Sequence, residues 1–582
     1  MRKLSVLHTI TGDKKIKLLL TLFLLACILP SYRLAAKEWK GEWKTSKGKV
    51  LPYHIQIKDG QKATPVAVYL TNLKIKRIGT DTDKSILSDL ANKGFMTVKL
   101  DCSAFFGNSS EIVQELTEFN TEMPQVLQNT IENKDLIQQG RIYYLPEGYN
   151  IDYNQSYWDR LDHGANGTAE HIVNMYNKYS VKKHKVPVVE TVNEIKGKKG
   201  EALDHSLRMD VIYPTGKLNK SVPLMLTFSS SSERMITYVS TPHRAIYPLG
   251  FLLTGYVWAV AEHNYVTVAK DEYYGFIKGS YSLDKWNGLA SSTAAIRFLR
   301  FNAGKYNFNG KIGAMGISKA SYAVTRLADT EHEKLTEFAV FDGFKKGSPK
   351  PQPFPGVSSK IDVGYTAAGD GTDRYQYVTK TTVPLTMSAG KYDKFEKWDS
   401  FPKLLARCEK MNINYLPFWM EDIGHTYPVG KDFATGQDRY TLLKRFFDAH
   451  LYETKVLEVL YILPSDGNTK VFKDGKSFYL SPEVASPPNM EGLSVYAPIS
   501  VRFTKSLASD AISSKNVKIV NLTSQKPLEG TWKASLKNTR FEFSPSAMLE
   551  PQTEYMITVM QDIKDINGTV LQKEIKSKFK TQ

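Results

Sequence analysis

Cysteine is scarce in this chain, with three residues in a length of 582. If an N-terminal leader ends near Ala36, only Cys102 and Cys408 remain in the mature chain. Two cysteines form one disulfide at most. The sequence therefore excludes a disulfide framework and a metal site rich in thiolates.

A nucleic-acid motif is lacking too, although the formal charge is +17. Because the sequence has no zinc-finger spacing, no P-loop and no long basic run, we expect no nucleic-acid partner. Residues 1–36 hold six Lys or Arg and one Asp, which leaves +12 for a chain that starts at residue 37. Such a charge attracts acidic polysaccharide or anionic lipid, but solvated lysines without a specific partner are the simpler explanation.

The apolar run near the N-terminus, LLLTLFLLACIL at residues 18–29, is too short to cross a bilayer. Three lysines precede it, as in a signal peptide; a buried N-terminal helix is the alternative. Processing after LAA near Ala36 and lipidation at Cys27 in a lipoprotein-like box both fit the sequence. We therefore expect export to the periplasm, the cell surface or the medium of a bacterium. A lipid anchor at Cys27 is the one membrane attachment that we expect.

The composition, 42% hydrophobic and 24% charged, is that of a globular protein, and the length predicts several domains. Helix-then-strand order around glycine turns predicts α/β layers, and short alternating runs near the C-terminus predict a β-sandwich. Residues 345–380 lack periodicity and are predicted to form a long loop. The predicted division is a signal peptide (1–36), an N-terminal extension (37–205), a central α/β domain (206–455), a linker (456–482) and the sandwich (483–582).

Two blocks of the sequence are alike. TPVAVYLTN at residues 64–72 resembles VPLMLTFSS at 222–230, and LANKGFMTVKLDCS at 90–103 resembles LLTGYVWAVAEHNY at 252–265. Duplication explains this likeness, and so do the ordinary sequence preferences of α/β proteins. Both interpretations stay open.

The segment KIGAMGISKAS, residues 311–321, places Ser318 between a strand-like run and a helix-like run. Ser318 is either a nucleophile on a strained turn or a serine that caps a helix. The usual nucleophile pattern is Gly-x-Ser-x-Gly, and here Gly316 fills the first glycine position while Ala320 replaces the second. Taken alone, this pattern favours the capping interpretation.

Two further residues support the nucleophile interpretation. Asp393 lies 75 residues after Ser318, and His425 lies 32 residues after Asp393. Each follows a predicted strand, and open α/β sheets place their ligands at such carboxyl ends. Glu396 and Asp399 are the alternatives for the acid, and His425 as a surface-loop histidine is the alternative for the base.

Ester cleavage through an acyl-enzyme also needs two N–H donors for the oxyanion. The backbone N–H of Lys319, at the start of a helix, is the first candidate. The second candidate is Ser229 or Ser230, in the loop after VPLMLTF, although a serine-rich turn explains that loop nearly as well.

The segment at residues 152–173 is dense in aromatic residues, Asp and His. Trp158 is a candidate for stacking on a sugar ring, but an irregular structural connection is the simpler interpretation. The histidines and aspartates of this segment match no strong metal-ligand spacing, so we expect no metal; they are His163, His171, Asp159 and Asp162. No motif calls for a cofactor.

Residues 206–452 resemble the α/β-hydrolase superfamily, in its dienelactone-hydrolase or prolyl-oligopeptidase-like branch. The resemblance rests on AIRFLRFNAGKYNFNGKIGAMGISKAS, SAGKYDKF and GHTYPVG with DRYTLLKRFFDAHL. It implies an α/β-hydrolase sheet with helices on both faces, and a nucleophile, acid and base at Ser318, Asp393 and His425. Lys319, Ala320 and the serine-rich loop depart from the family pattern. Residues 483–580 resemble a bacterial Ig-like domain.

The sequence therefore predicts an exported serine esterase that cleaves carboxylic esters, with polysaccharide esters as one substrate class. A serine peptidase of the prolyl-oligopeptidase type is the alternative on the same fold. A hydrolase-like protein that binds glycans or surface partners without turnover is the alternative from another class.

Overall fold

The computed structural model describes most of the chain between residues 36 and 581. No helix in this part of the chain is long and apolar enough to span a bilayer. The predicted leader and Cys27 lie outside the described residues. The described ranges are 36–58, 64–73, 86–105, 115, 118, 137–159, 206–215, 221–228, 249–261, 283–330, 332, 354–367, 377–393, 401–420, 424–425, 438–452, 457–464, 470–473, 476–479, 489–493, 495 and 498–581.

The first sheet is built from five strands in the order β1-β2-β4-β3-β5. A short helix, α1 (Ile86–Asn92), lies between β3 and β4 in the chain. The strand β3 pairs in parallel with both β4 and β5, whereas β1 and β2 are antiparallel. The strands are β1 (Ala36–Lys44), β2 (Val50–Lys58), β3 (Thr64–Thr71), β4 (Met96–Asp101) and β5 (Ile137–Pro146).

The central sheet has eight strands in the order β13-β12-β11-β10-β8-β9-β7-β6. Neighbours from β13 to β9 are parallel, and β7 is antiparallel to both β9 and β6. The carboxyl ends of β10, β12 and β13 therefore meet at one edge. The strands are β6 (Tyr149–Asp159), β7 (Ser206–Pro214), β8 (Val222–Phe228), β9 (Val257–Ala261), β10 (Phe308–Ile317), β11 (Val363–Ala367), β12 (Leu385–Gly390) and β13 (Tyr415–Met420).

The central strands are buried on both faces, as the uninterrupted apolar run of β8 predicts. Leu224 and Leu226 point into one core, whereas Met225 between them points into another. The first core includes side chains from α2, α3 and α4, and the second includes those of α5. The helices are α2 (Leu283–Phe301), α3 (Lys319–Ala328), α4 (Phe401–Met411) and α5 (Arg439–Leu451).

The prediction of a loop at residues 345–380 is wrong in part, because β11 lies inside this segment and occupies the middle of the sheet. The five residues of β11 include glycine and threonine, and their hydrophobic residues show neither helical nor alternating spacing. Gly364 is required by packing, since a Cβ there would lie 2.7 Å from Cδ2 of Leu385. The run EFAVFDGF at residues 337–344, which the sequence predicts as a strand, lies outside the described residues.

The five-stranded sheet and the central sheet share one continuous apolar core. At their junction the Tyr143 hydroxyl donates to Oδ2 of Asp210, at 2.5 Å. The backbone N–H of Asn154 donates to the other oxygen of this buried carboxylate, at 2.7 Å. The five-stranded sheet is thus packed against the central sheet. The strand β6, which the predicted division assigns to the N-terminal extension, is instead an edge strand of the central sheet.

The C-terminal part is a sandwich of two four-stranded sheets, β14-β18-β21-β20 and β17-β23-β22-β19, beside the hairpin β15-β16. The strand β14 lies in the segment predicted as a linker, yet it pairs with β18. The strands are β14 (Val459–Pro464), β15 (Lys470–Lys473), β16 (Lys476–Tyr479), β17 (Asn489–Leu493), β18 (Ile499–Phe503), β19 (Val517–Asn521), β20 (Gly530–Ser535), β21 (Arg540–Pro545), β22 (Glu554–Val559) and β23 (Ile575–Thr581).

The turn between β20 and β21 is inserted into the central domain. Leu536, at its tip, is fully buried in the core that also holds Leu385 of β12 and Cys408 of α4. Arg540 binds Glu409 through both guanidinium Nη atoms, at 2.8 Å each. The sandwich is therefore docked at the amino ends of β12 and β13, opposite the edge where their carboxyl ends lie.

Candidate active site

Ser318 lies between the last residue of β10 and the first residue of α3, on a backbone with φ 57° and ψ −128°. This region favours glycine, and a non-glycine residue held there is strained. Its side chain makes no capping hydrogen bond to α3 in the described part of the chain. The geometry is that of a sharp strand-to-helix turn, which places the half-buried Ser318 at the sheet edge.

Packing explains why glycine and alanine occupy positions 316 and 320 beside Ser318. A Cβ at Gly316 would overlap the backbone carbonyl of Ala320. The Ala320 side chain is fully buried in the core. The first position of the motif therefore needs glycine, while a methyl group is accommodated at the last.

Asp393 and His425 form a hydrogen-bonded pair, as the sequence predicts for an acid and a base. His425 Nδ1 lies 2.8 Å from Oδ2 of Asp393, whose side chain is fully buried. Since a carboxylate only accepts hydrogen bonds, Nδ1 carries the proton and Nε2 of a neutral ring is left as the basic atom. The His425 side chain is 21% exposed, so solvent can reach it.

The loops that carry this acid and this base touch through their backbones. A Cβ at Gly424 would lie 3.0 Å from the carbonyl oxygen of Tyr392 and 3.7 Å from the N of Asp393. The residue before the base thus packs on the peptide before the acid. In the sequence, the signal for Gly424 is the dipeptide Gly-His after the strand that ends at Met420.

The strand order brings the three predicted catalytic positions to one edge. Ser318 directly follows β10, Asp393 comes three residues after β12, and His425 five residues after β13. The backbone N–H of Lys319 starts α3 at the same edge. An acidic group, a base and a hydroxyl in this arrangement are the parts that acyl transfer requires.

Other predicted site residues lie elsewhere or outside the described residues. Ser229 and Ser230 fall outside them, as do Glu396, Asp399, His163 and His171. Trp158 belongs to β6, the edge strand farthest from β13 in the sheet order, and its backbone pairs with Leu207. Its assignment to a sugar site stays a prediction. Among the described residues, no three His, Cys, Asp or Glu side chains form a group that could hold a metal.

Tyr392, beside Asp393, is a surface residue that no sequence pattern marks. Its side chain is 63% exposed, although tyrosine is a large and partly apolar residue. Its position next to Asp393 makes it a candidate for contact with substrate.

Residues 454–581 match the family model of the bacterial Ig-like domain, which confirms the Ig-like sandwich at the C-terminus. No curated protein matches the chain. Similar solved structures cover less than half of it. They include a truncated carbohydrate esterase from gut microbiota, with 13% identity over 39% of this chain and 86% of that one, at a TM-score of 0.27.

Two further similar structures come from named bacteria. The apo form of Thermogutta terrifontis esterase 2 shows 11% identity over 44% of this chain and 94% of that one, at a TM-score of 0.31. An acetyl ester-xyloside bifunctional hydrolase from Caldicellulosiruptor lactoaceticus shows 15% identity over 44% and 92%, also at 0.31. At these TM-scores the likenesses decide neither the fold nor the activity of this chain.

Proposed function

We propose that this chain is a serine esterase with an α/β-hydrolase fold, in which Ser318 is the nucleophile, His425 the base and Asp393 the acid. The observation that carries the proposal is the 2.8 Å pair of Asp393 and His425 at the sheet edge where Ser318 occupies its strained turn. The order serine, acid, histidine along the chain is the order of α/β-hydrolases.

In the proposed mechanism, Nε2 of His425 takes the proton of the Ser318 hydroxyl as its oxygen attacks the ester carbonyl. Asp393 holds the imidazole through Nδ1 and stabilises the imidazolium that forms. The backbone N–H of Lys319 donates to the oxyanion, with a second donor from the loop of Ser229 and Ser230.

The tetrahedral intermediate then collapses to an acyl-enzyme. The bond from the carbonyl carbon to the alkoxy oxygen breaks, and the alcohol leaves with the proton from His425. Water, deprotonated by His425, attacks the acyl group and releases the acid, which restores the Ser318 hydroxyl.

The substrates that we propose are acyl or methyl esters on polysaccharide. The support is the basic net charge together with a bacterial Ig-like domain, a module typical of surface and exported proteins. The N-terminal run after three lysines supports export. Processing near Ala36 to a soluble form and lipidation at Cys27 are both compatible with this proposal.

The test is hydrolysis of p-nitrophenyl acetate by the Ser318→Ala protein. Activity should fall by at least roughly a thousandfold, because no other hydroxyl occupies the strained turn. The matched control is Ser524→Ala, which removes an exposed hydroxyl of the sandwich and should leave turnover unchanged. Undiminished turnover by Ser318→Ala would refute the assignment.

A substrate panel separates the alternatives. Acetyl, methyl and feruloyl esters should be turned over, whereas cleavage of prolyl peptides with inert esters would favour the peptidase. A folded protein that fails to react with a fluorophosphonate probe, and that retains glycan binding, would favour the non-catalytic alternative.

A further inference from the structure

The five-stranded sheet repeats the connectivity of the first five strands of the central sheet. Its order is β1-β2-β4-β3-β5, and the corresponding order in the central sheet is β6-β7-β9-β8-β10. In each case an antiparallel pair comes first, and its second strand pairs antiparallel with the fourth strand. The third strand then pairs in parallel with the fourth and the fifth.

The connection from the third to the fourth strand also ends in the same way. Gly94 before β4 has φ 91°, and Gly255 before β9 has φ 96°. The N–H of Phe95 donates to the carbonyl five residues earlier, at 3.0 Å, and that of Tyr256 does the same at 3.1 Å. Both helical segments therefore close with the same glycine turn.

Strand register extends the equivalence residue by residue. Val66 lies opposite Met96, the second residue after Gly94. Leu224 lies opposite Val257, the second residue after Gly255. Val66 and Leu224 are therefore equivalent positions on the third strand of each sheet.

From these positions the fifth strands can be aligned as well. Val66 lies opposite Ile142 in β5, and Leu224 lies opposite Ile312 in β10. Six residues further on, the two strands reach Gly148 and Ser318. Both residues have positive φ, 82° and 57° respectively.

We propose that residues 36–148 are an incomplete and catalytically silent copy of the sheet that carries the active site. The position of the nucleophile is filled by Gly148, which has no hydroxyl. The chain then enters β6 directly, so the helix that follows Ser318 has no counterpart after Gly148.

The edge of this silent copy is closed by its own hydrogen bonds. Asn72 follows β3 as the predicted oxyanion loop follows β8, and its backbone N–H donates to Oε2 of Glu147, at 3.0 Å. Its side-chain amide donates to Oδ1 of Asp101, at 2.8 Å. The donor that corresponds to an oxyanion-hole N–H is therefore occupied by a carboxylate from the residue before Gly148.

The silent copy has a structural role instead. It contributes to the shared core on one face of the central sheet, and Tyr143 anchors it to Asp210 of β7. Tyr149, directly after Gly148, is the first residue of β6, and its hydroxyl lies 3.1 and 3.0 Å from the carbonyls of Leu252 and Tyr256. The chain thus passes from the copy into the central sheet beside the connection from β8 to β9.

A crystal structure of the full chain tests the copy itself. Superposition of β2, β3, β4 and β5 on β7, β8, β9 and β10 should bring the Gly148 Cα onto the Ser318 Cα. A register offset by one residue, or a different strand order, would overturn the proposal.

Probe labelling tests the silence of the copy, and this part rests on the proposed function. A fluorophosphonate probe should label the full chain once, at Ser318, and should not label the Ser318→Ala protein. A second label within residues 36–159, or a label that survives in Ser318→Ala, would contradict the claim that the copy is catalytically inactive. An intact protein that takes up no label would contradict the proposed esterase, while the superposition would still decide the copy.

Discussion

Ser318 holds a backbone conformation that costs a non-glycine residue of order 1–3 kcal/mol. The surrounding structure maintains it, because its N–H donates to the Ala367 carbonyl at 2.9 Å. Its own carbonyl accepts from the Ser321 N–H at 3.0 Å and from the Ser321 hydroxyl at 2.6 Å. The strain places the hydroxyl at the sheet edge instead of on the helix end.

Glycine at position 318 should relieve this strain. We expect Ser318→Gly to unfold with a free energy about 1 kcal/mol higher than Ser318→Ala, because both lack the hydroxyl and only alanine retains a Cβ at positive φ. Urea denaturation of the two variants measures the difference. Equal stabilities would show that the turn is not strained.

Gly424 should set the spacing of the acid and the base. We expect Gly424→Ala to lower kcat by roughly tenfold or more with KM nearly unchanged, because the new methyl group pushes the His425 loop from the Tyr392 carbonyl. The control is Gly304→Ala, where an added Cβ meets nothing within 4 Å. If both substitutions leave kcat at its original value, Gly424 does not set the spacing of Asp393 and His425.

At the scale of elements, the patterns that the sequence shows best are those of amphipathic helices and buried strands. The amphipathic segment DRYTLLKRFFDAHLY at residues 438–452 predicts a helix. It contains α5, with Asp438 accepting a hydrogen bond from the Thr441 N–H as its cap. The apolar spacing in residues 286–310 predicts one helix over the whole segment. That helix is too long, because α2 ends at Phe301 and β10 begins at Phe308. Asparagine and glycine in between end the helix, and the apolar residues that follow belong to the strand.

The sequence also places Asp393 and His425 after strands in the right order, and a hydrogen bond joins the two side chains; their catalytic roles stay a prediction. The sequence could not predict β11, whose five residues carry no pattern, nor the insertion of the turn after β20. That turn depends on three consecutive residues with φ between 51° and 59°, which are Leu536, Lys537 and Asn538. Non-glycine residues disfavour this conformation, so tertiary contacts rather than local preference hold it.

Leu536 should couple the sandwich to the central domain. We expect Leu536→Ala to lower the unfolding free energy by about 2–5 kcal/mol, as for other fully buried leucines. It should also raise hydrogen exchange in β13, because the turn binds Asn412 and Asn414 directly before that strand. Hydrogen exchange with mass spectrometry measures both the unfolding free energy and the exchange in β13.

Lys533→Ala is the matched control, because Lys533 is exposed on the same hairpin and its removal should change neither quantity. If Leu536→Ala destabilises the sandwich while exchange in β13 stays as it was, the two parts are not coupled.

Across the whole molecule, the junction of the sandwich and the central domain contains buried polar groups. Arg502 of β18 is fully buried, and its Nη2 donates to Oδ1 of Asn414 at 2.5 Å and to the Tyr415 carbonyl at 2.9 Å. The side-chain amide of Asn414 also lies 3.2 Å from Nε2 of His450. Asn414 thus donates to a neutral imidazole and accepts from a guanidinium.

Burial, reinforced by the positive charge of Arg502, lowers the pKa of His450 from 6.5 to about 3. Below pH 6.5 the unfolded chain takes up a proton at this residue, whereas the folded chain does not until about pH 3. This histidine therefore contributes stability above pH 6.5 that is lost as the pH falls. We expect its share of the unfolding free energy to drop by about 1.4 kcal/mol per pH unit over that window.

Denaturant unfolding of the wild type and of His450→Gln across pH 4–7 measures this share. Glutamine keeps an acceptor for Asn414 but does not titrate. As the pH falls, the unfolding free energy of the wild type should therefore decrease more steeply than that of His450→Gln, by the slope that corresponds to uptake of about one proton. Identical slopes would mean that His450 titrates alike in the folded and unfolded chains.

The docked hairpin joins parts of the chain that are made far apart in time. The backbone N–H of Lys537 donates to Asn412, 125 residues earlier, and Arg540 binds Glu409, 131 residues earlier. At a synthesis rate of about 5–20 residues per second, β13 waits on the order of 10 s for this contact. A nascent chain stopped before the hairpin would hold all three residues of the proposed triad but lack the support beneath Asp393 and His425. The proposed esterase activity should therefore emerge last in biosynthesis.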